Sequence, residues 1–250
     1  MNWKAFSASA IGKDHINTGL PCQDDFAFRI LGDVLIGVVC DGAGSAAHSE
    51  IGAKACSQSV VESLAIALAD SSNGNYKKVY SHESLELVIE TARNQLQLLA
   101  DEQGFQFHDL SCTLVGCIAS PEGGCLFHIG DGFAIAEFDE NTPVVSLPEN
   151  GEYANETYFV TASDWQARLR ITLLMPIQSG RLALMSDGAA PFVVNRERTG
   201  FSMPFINPVT RYLSDKPQSD GNMALLDTLS DERTNAITGD DKTLLIALLQ

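Results

Sequence analysis

The chain has 250 residues, with 32 acidic side chains against 16 basic ones and a formal net charge of −16. Non-specific nucleic-acid binding rests on neutralisation of phosphates by Lys and Arg, so this balance, with no basic run to offset it locally, argues against a nucleic-acid partner. No apolar stretch approaches the roughly 18 residues of a membrane span, and Met1-Asn-Trp-Lys-Ala-Phe-Ser7 lacks the apolar core of a signal peptide, so a soluble cytoplasmic protein with no membrane partner is expected. The six cysteines, Cys22, Cys40, Cys56, Cys112, Cys117 and Cys125, contain no Cys-x-x-Cys pair, and most lie in apolar runs. They read as reduced, buried small hydrophobes, and their spacing speaks against structural zinc.

In chain order, alternation over Asp25 to Ile30 predicts a strand, with Val34 to Cys40 as its hairpin partner across Gly32-Asp33. Apolar residues at helical spacing (Ile51, Ala55, Val61, Leu64, Leu68) predict a helix over Ala47 to Ala69, broken by Ser71 to Asn75. A second helix is predicted from His82 to Glu102, with Leu85, Val88, Ile89, Ala92, Leu96 and Leu99 as its stripe and Ser81 as its N-cap. Cys112 to Ser120, Cys125 to Ile129 and Phe133 to Phe138 then read as a meander, followed by strands at Thr157 to Thr161, Leu169 to Met175 and Arg181 to Met185. Short helices are predicted near Val209 to Leu213 and Met223 to Leu229, and a last strand over Thr243 to Leu249. That strand must pair with something earlier. No linker or repeat interrupts the chain, so one domain over residues 1–250 is expected, an antiparallel sheet covered on a face by two long helices.

Three of the apolar runs stop at the same dipeptide: Asp41-Gly42, Asp131-Gly132 and Asp187-Gly188; a fourth acidic pair, Asp240-Asp241, precedes the last run. One Asp-Gly after a strand is ordinarily a turn. Several converging at one place repel each other and call for a hard cation such as Mg²⁺ or Mn²⁺, which prefers oxygen ligands. Signatures for P-loop, serine-hydrolase and zincin chemistry are missing from the sequence.

The order Gln23-Asp24-Asp25, Val39-Cys-Asp-Gly-Ala-Gly-Ser45, Ser111-Cys-Thr113, Ile129-Gly-Asp-Gly132, Met185-Ser-Asp-Gly-Ala189 and Gly239-Asp-Asp-Lys-Thr-Leu-Leu245 resembles the metal-dependent type-2C protein phosphatases, the PPM family, and their divergent bacterial branch. The resemblance runs from about Ser7 to Leu249. It implies an α+β fold, a four-layer sandwich of two antiparallel sheets flanked by helix pairs. It implies two, or with a third site three, Mn²⁺ or Mg²⁺ ions, and hydrolysis of phosphoserine or phosphothreonine by a hydroxide bridging two of them. Asp41 matches the bridging aspartate, and the Gly42 carbonyl completes one metal. Asp24 matches the acidic residue of the first motif, Asp187 and Asp240 the later ligands, and Asp131 the residue that helps bind a third ion. Asp24, Asp41, Asp187 and Asp240 are thus the expected catalytic set. Asp241 stands where the family often has Asn, and its role stays open. The implied partner is a phosphorylated protein, substrate of a serine/threonine kinase.

The chain departs from the family pattern at two places. Gly19 stands where many members carry a phosphate-binding Arg, and Ala43 where many carry a His proposed as general acid. Losing a bidentate anchor weakens phosphate binding, and losing a general acid slows departure of a poor leaving group. His15, Lys13 and His48 are candidate substitutes, each equally readable as a surface or capping residue. His128 reads as structural and Cys40 as core. Asn155-Glu156 fits either a cleft segment or a solvated loop. Two other functions remain open: a catalytically weak binding or regulatory module, and a phosphatase of small phosphorylated molecules.

Overall fold

The structure, a computed structural model, describes residues 2–70, 78–139, 142–149 and 157–250. Among the described residues ten strands form two five-stranded antiparallel sheets. One has the order β1-β10-β9-β6-β7: β1 (Trp3–Ala10), β10 (Lys242–Leu249), β9 (Gly180–Met185), β6 (Phe133–Phe138) and β7 (Val144–Ser146). The other has the order β2-β3-β4-β5-β8: β2 (Asp25–Leu31), β3 (Val34–Cys40), β4 (Leu114–Ser120), β5 (Gly123–Ile129) and β8 (Arg170–Leu174). Short α1 (Lys13–Thr18) follows β1, and the long helices α2 (Ser49–Asp70) and α3 (His82–Gln103) follow β3. The rest are α4 (Trp165–Arg168), α5 (Ala190–Val193), α6 (Met203–Ser214), α7 (Gln218–Ser230) and α8 (Glu232–Asn235).

Side-chain alternation explains the layering. In β3, Val34, Ile36, Val38 and Cys40 pack with α2 and α3, while Leu35 and Val39 pack between the sheets. In β10, Leu245, Ala247 and Leu249 face the other sheet, while Leu244, Ile246 and Leu248 pack with residues of α6 and α7. Strands buried on both faces read as unbroken apolar runs. The layers are therefore α2/α3, sheet, sheet and α6/α7, as the family resemblance implies. Among the described residues no helix is long and apolar enough to cross a membrane.

The N-cap at Ser81 is borne out: its hydroxyl accepts the Ser84 N–H at 3.3 Å. The last strand finds its early partner in β1, with Trp3 opposite Leu249 and Ala10 opposite Lys242. The strand at β1 itself was not expected, because its small alternating residues (Ala5, Ser7, Ala8, Ser9, Ala10) carry little amphipathic signal. The run Thr157 to Thr161 is not a ladder strand. Its Val160 is fully buried in the helix-side core, its N–H donates to the Cys112 carbonyl at 2.9 Å and its carbonyl accepts from the Arg93 guanidinium, so packing and scattered ties replace a strand partner. The expected breaker at Ser71 to Asn75, and Asn155-Glu156, lie outside the described residues.

Ladder register then sets the site. Asp25 faces Cys40 across β2–β3, which puts Asp24 beside Asp41 just beyond the strand ends. Met185 faces both Phe133 and Leu244, so Asp131, Asp187 and the Asp240-Asp241 pair leave the β1-β10-β9-β6-β7 sheet at the same end.

Candidate metal centre

Asp41, Asp131, Asp187 and Asp240 line a cleft of about 180 Å³ at this end of the sandwich. One carboxylate oxygen each from Asp41, Asp131 and Asp187 lie within 4.8 Å of one another. Asp24 sits behind that lining, only 7% exposed, close enough for its charge to act on Asp41. The sequence-expected ligand set therefore converges.

Each side chain is held by its neighbours. Asp41 follows β3, and its N–H donates to the Thr113 hydroxyl at 3.0 Å while its carbonyl accepts the Thr113 N–H at 2.8 Å. Gly42 must be glycine: a Cβ there would lie 2.6 Å from the Gln23 carbonyl oxygen, which already accepts the Gly42 N–H. A Cβ at Gly188 would meet the Asp241 carbonyl oxygen at 2.0 Å, so the third Asp-Gly is likewise a close backbone approach. The Thr157 hydroxyl donates to Asp131 Oδ2 at 2.5 Å. The Ser111-Cys-Thr113 motif is thus the rail that holds the Asp41-Gly42 turn, a role the sequence reading did not assign. Thr157 was missed altogether, because nothing in its own run marks it.

The electrostatics are those of carboxylates short of counter-charge. Burial, then the Asp24, Asp187, Asp240 and Asp131 charges, hold the Asp41 carboxyl well above the usual carboxylate range. Burial raises Asp24 to about 7, with Ser186 and Thr243 hydrogen bonding partly offsetting it and Asp241 and Asp240 adding repulsion. Burial with the Asp240 and Asp131 charges raises Asp187 to about 6. Asp240 is raised too, by burial first. Lys242 is buried, but its ammonium donates to Asn235 Oδ1 at 3.0 Å and the Asp240 carbonyl at 3.2 Å rather than to a carboxylate. Among the described residues no Lys or Arg forms an ion pair with these aspartates.

These residues fit divalent cations. Asp24 Oδ2 and Asp187 Oδ1 are buried without a hydrogen-bond partner, an expensive arrangement unless something else satisfies them. An all-oxygen set of clustered carboxylates is the donor chemistry of Mg²⁺ or Mn²⁺.

The remaining candidates separate cleanly. Asp241 is a clamp: it is 3% exposed, and its oxygens accept the Gly12 and Gln23 N–H groups and contact His15 Nδ1. His15 lines the cleft, as does Ala43. His48 is absent from the lining, and its ring stacks on Phe105 with centroids 3.8 Å apart. Gly19 caps α1 in the left-handed conformation, φ +73°, so the position of the family Arg is occupied by a helix stop. His128 is fully buried against the Ser146 hydroxyl at 2.9 Å, and burial followed by the Arg170 charge pushes its imidazole well down, towards the neutral form. Cys40 is core as expected, and folding gathers it with Cys56 and Cys112 into a buried group whose sulfurs lie within 4.8 Å of one another.

A model of the protein phosphatase 2C family matches residues 11–230, and the chain belongs to that family of metal-dependent hydrolases. It is 31% identical over 256 residues to serine/threonine-protein phosphatase 3 of Escherichia coli K12, covering 99% of each chain. Solved structures share the fold at lower identity. A bacterial serine phosphatase superposes with a TM-score of 0.67 at 14% identity, covering 100% of this chain and 98% of that one. The S. agalactiae serine/threonine phosphatase gives 0.66 at 13% identity with full coverage of both. RsbX, solved in complex with magnesium, gives 0.58 at 13% identity, covering 99% and 96%.

Proposed function

We propose that this protein removes phosphate from phosphoserine or phosphothreonine of proteins phosphorylated by a serine/threonine kinase, using two or three Mn²⁺ or Mg²⁺ ions held by Asp24, Asp41, the Gly42 carbonyl, Asp131, Asp187 and Asp240. One observation carries the assignment of residues: aspartates from separate elements, Asp24 buried and Asp41, Asp131 and Asp187 half-buried, meet at one end of the sandwich, and among the described residues no Lys or Arg is ion-paired to them. Cations bound there supply charge for phosphoryl oxygens and a water of lowered pKa.

The chain's own groups do the positioning. Thr113 pins the backbone of Asp41 from both sides. Thr157 occupies Asp131 Oδ2, which leaves Oδ1 for the cleft. Asp241 ties the segment carrying Gln23 and Asp24 to the start of β10, and it orients His15 at the cleft wall. Loop backbone that is fixed in this way keeps carboxylates of like charge together, which preorganises the site before a ligand arrives. The reading takes 1–250 as one phosphatase domain. A cytoplasmic location belongs to the same reading and is supported by six free cysteines, which suit a reducing compartment.

The test is phosphate release from phosphoserine and phosphothreonine peptides with Mn²⁺, with Mg²⁺ and with chelator. Release that needs a divalent ion and fails in Asp41→Asn is expected. Release that survives chelation would refute the metal-centre assignment.

A further inference from the structure

A cavity of about 580 Å³ opens beside the metal centre, and Asp131 and Asp187 belong to its lining as well as to the cleft. Its lining also carries Arg196 and Arg198. Both guanidiniums are exposed, and among the described residues neither has an ion pair. Glu197, between them in sequence, is absent from the lining.

The turn that presents them is braced. The Asn195 N–H donates to the Gly200 carbonyl at 2.9 Å, the Arg198 N–H to the Asn195 carbonyl at 3.0 Å, and the Thr199 N–H to Asn195 Oδ1 at 2.9 Å. Val194 and Phe201 close it with an antiparallel bridge. Arg198 adopts φ +56°, a conformation unusual for a residue other than Gly, Asn or Asp, and its guanidinium lies 5.7 Å from the Phe133 ring centroid, within cation–π range. The turn therefore holds both arginines on the cavity lining.

We infer that Arg196 and Arg198 form a subsite for carboxylates flanking the phosphorylated residue, so that the enzyme prefers phosphopeptides with acidic neighbours. The inference rests on the phosphatase reading above. With the phosphoryl group at the aspartates, a peptide running through the shared cavity brings its next residues to the guanidiniums. Arg binds carboxylate in a two-pronged, charge-assisted way. The net charge of −16 repels acidic peptides at long range, and these two cations offset that repulsion where the chain would lie.

The experiment compares a phosphothreonine peptide flanked by Glu with the same peptide flanked by Gln, in Mn²⁺ and low salt. The variant is Arg196→Gln with Arg198→Asn, since Asn tolerates the positive φ. Wild type should favour the Glu-flanked peptide in kcat/KM by roughly tenfold, the scale of two exposed but directed charge pairs. The double variant should bring that ratio to near one, with the loss falling on KM, and added salt should shrink the wild-type ratio. A wild-type ratio near one, a ratio that survives in the variant, or an equal loss on both peptides would overturn the subsite. A wild type that releases phosphate from neither peptide would overturn the phosphatase reading along with it.

Discussion

Asp241 and His15 are joined by a 2.9 Å contact between Oδ2 and Nδ1, and the same carboxylate accepts the Gly12 N–H at 2.5 Å and the Gln23 N–H at 2.6 Å. One buried side chain at the start of β10 thus fastens the N-terminal segment that carries Asp24. Asp241→Ala leaves two buried N–H groups unpaired, each costing about 1–3 kcal/mol. Urea unfolding in chelator should show a loss of roughly 2–6 kcal/mol on that basis, with phosphate release falling because Asp24 is no longer held. Asp241→Asn keeps one acceptor oxygen and should lose less. An unchanged midpoint for Asp241→Ala would show that the clamp does not matter to the fold.

Ala43, where the family often has a general-acid His, and His15 line one cleft, while His48 is stacked on Phe105. His15 is therefore the side chain to test for protonating a departing serine or threonine oxygen. His15→Gln should lower turnover of a phosphoserine peptide about 10²-fold, the low end for a lost general acid, and affect an aryl phosphate far less, because that leaving group hardly needs a proton. Ala43→His should help the peptide more than the aryl ester. Equal losses on both substrates in His15→Gln would confine His15 to the scaffold that Asp241 builds.

Asp41, Asp131 and Asp187 were legible because each ends an apolar run at an Asp-Gly turn, so strand pattern and turn dipeptide mark them twice; Asp240 showed only as part of an acidic pair before the last run, and Asp24 came from the family resemblance. The two long helices were legible from stripes that do pack on the core, Leu85, Ile89 and Leu96 among them. What the sequence could not carry was set by pairing between distant segments. β1 has little pattern of its own and is a strand because β10 needs an edge partner. Thr157 to Thr161 has strand-like residues, but Val160 answers to the helix-side core and Thr157 to Asp131. Asp241 looked like half of an acidic pair until its donors, over two hundred positions earlier, were seen beside it.

The raised carboxylates predict a pH dependence whose sign follows from linkage. Asp24 and Asp187 titrate near 3.8 when unperturbed and at about 7 and about 6 in the fold. Between those values the folded protein holds more protons than the unfolded chain, so stability falls as pH rises. Their favourable contribution is complete below about pH 4 and is lost as pH passes through about 6 to 7. In chelator, denaturant midpoints should therefore drop across this window, and Asp24→Asn should flatten the drop. A wild-type profile that rises from pH 4 to pH 7, with Asp24→Asn following the same curve, would contradict the assigned shifts.

Divalent ions should reverse that penalty. On the proposed reading the charged forms would be the ligands, so binding should favour the fold most where the metal-free protein is weakest. A ligand that binds only the native state adds about 2.7 kcal/mol at a hundredfold excess over its dissociation constant. Millimolar Mn²⁺ at neutral pH should raise Tm by several degrees, with Mg²⁺ acting in the same direction. Asp41→Asn removes the carboxylate on which Asp24, Asp187, Asp240 and Asp131 all act, so it has two expected effects. In chelator the variant should be at least as stable as wild type, because repulsion is relieved. With Mn²⁺ its gain should be much smaller, and phosphate release should be abolished, with Asp187→Asn and Asp240→Asn nearly as damaging. Calorimetric scans of both proteins with and without metal decide the matter. A wild-type Tm indifferent to both ions would remove the metal centre, and full Mn²⁺ stabilisation of Asp41→Asn would move it away from Asp41.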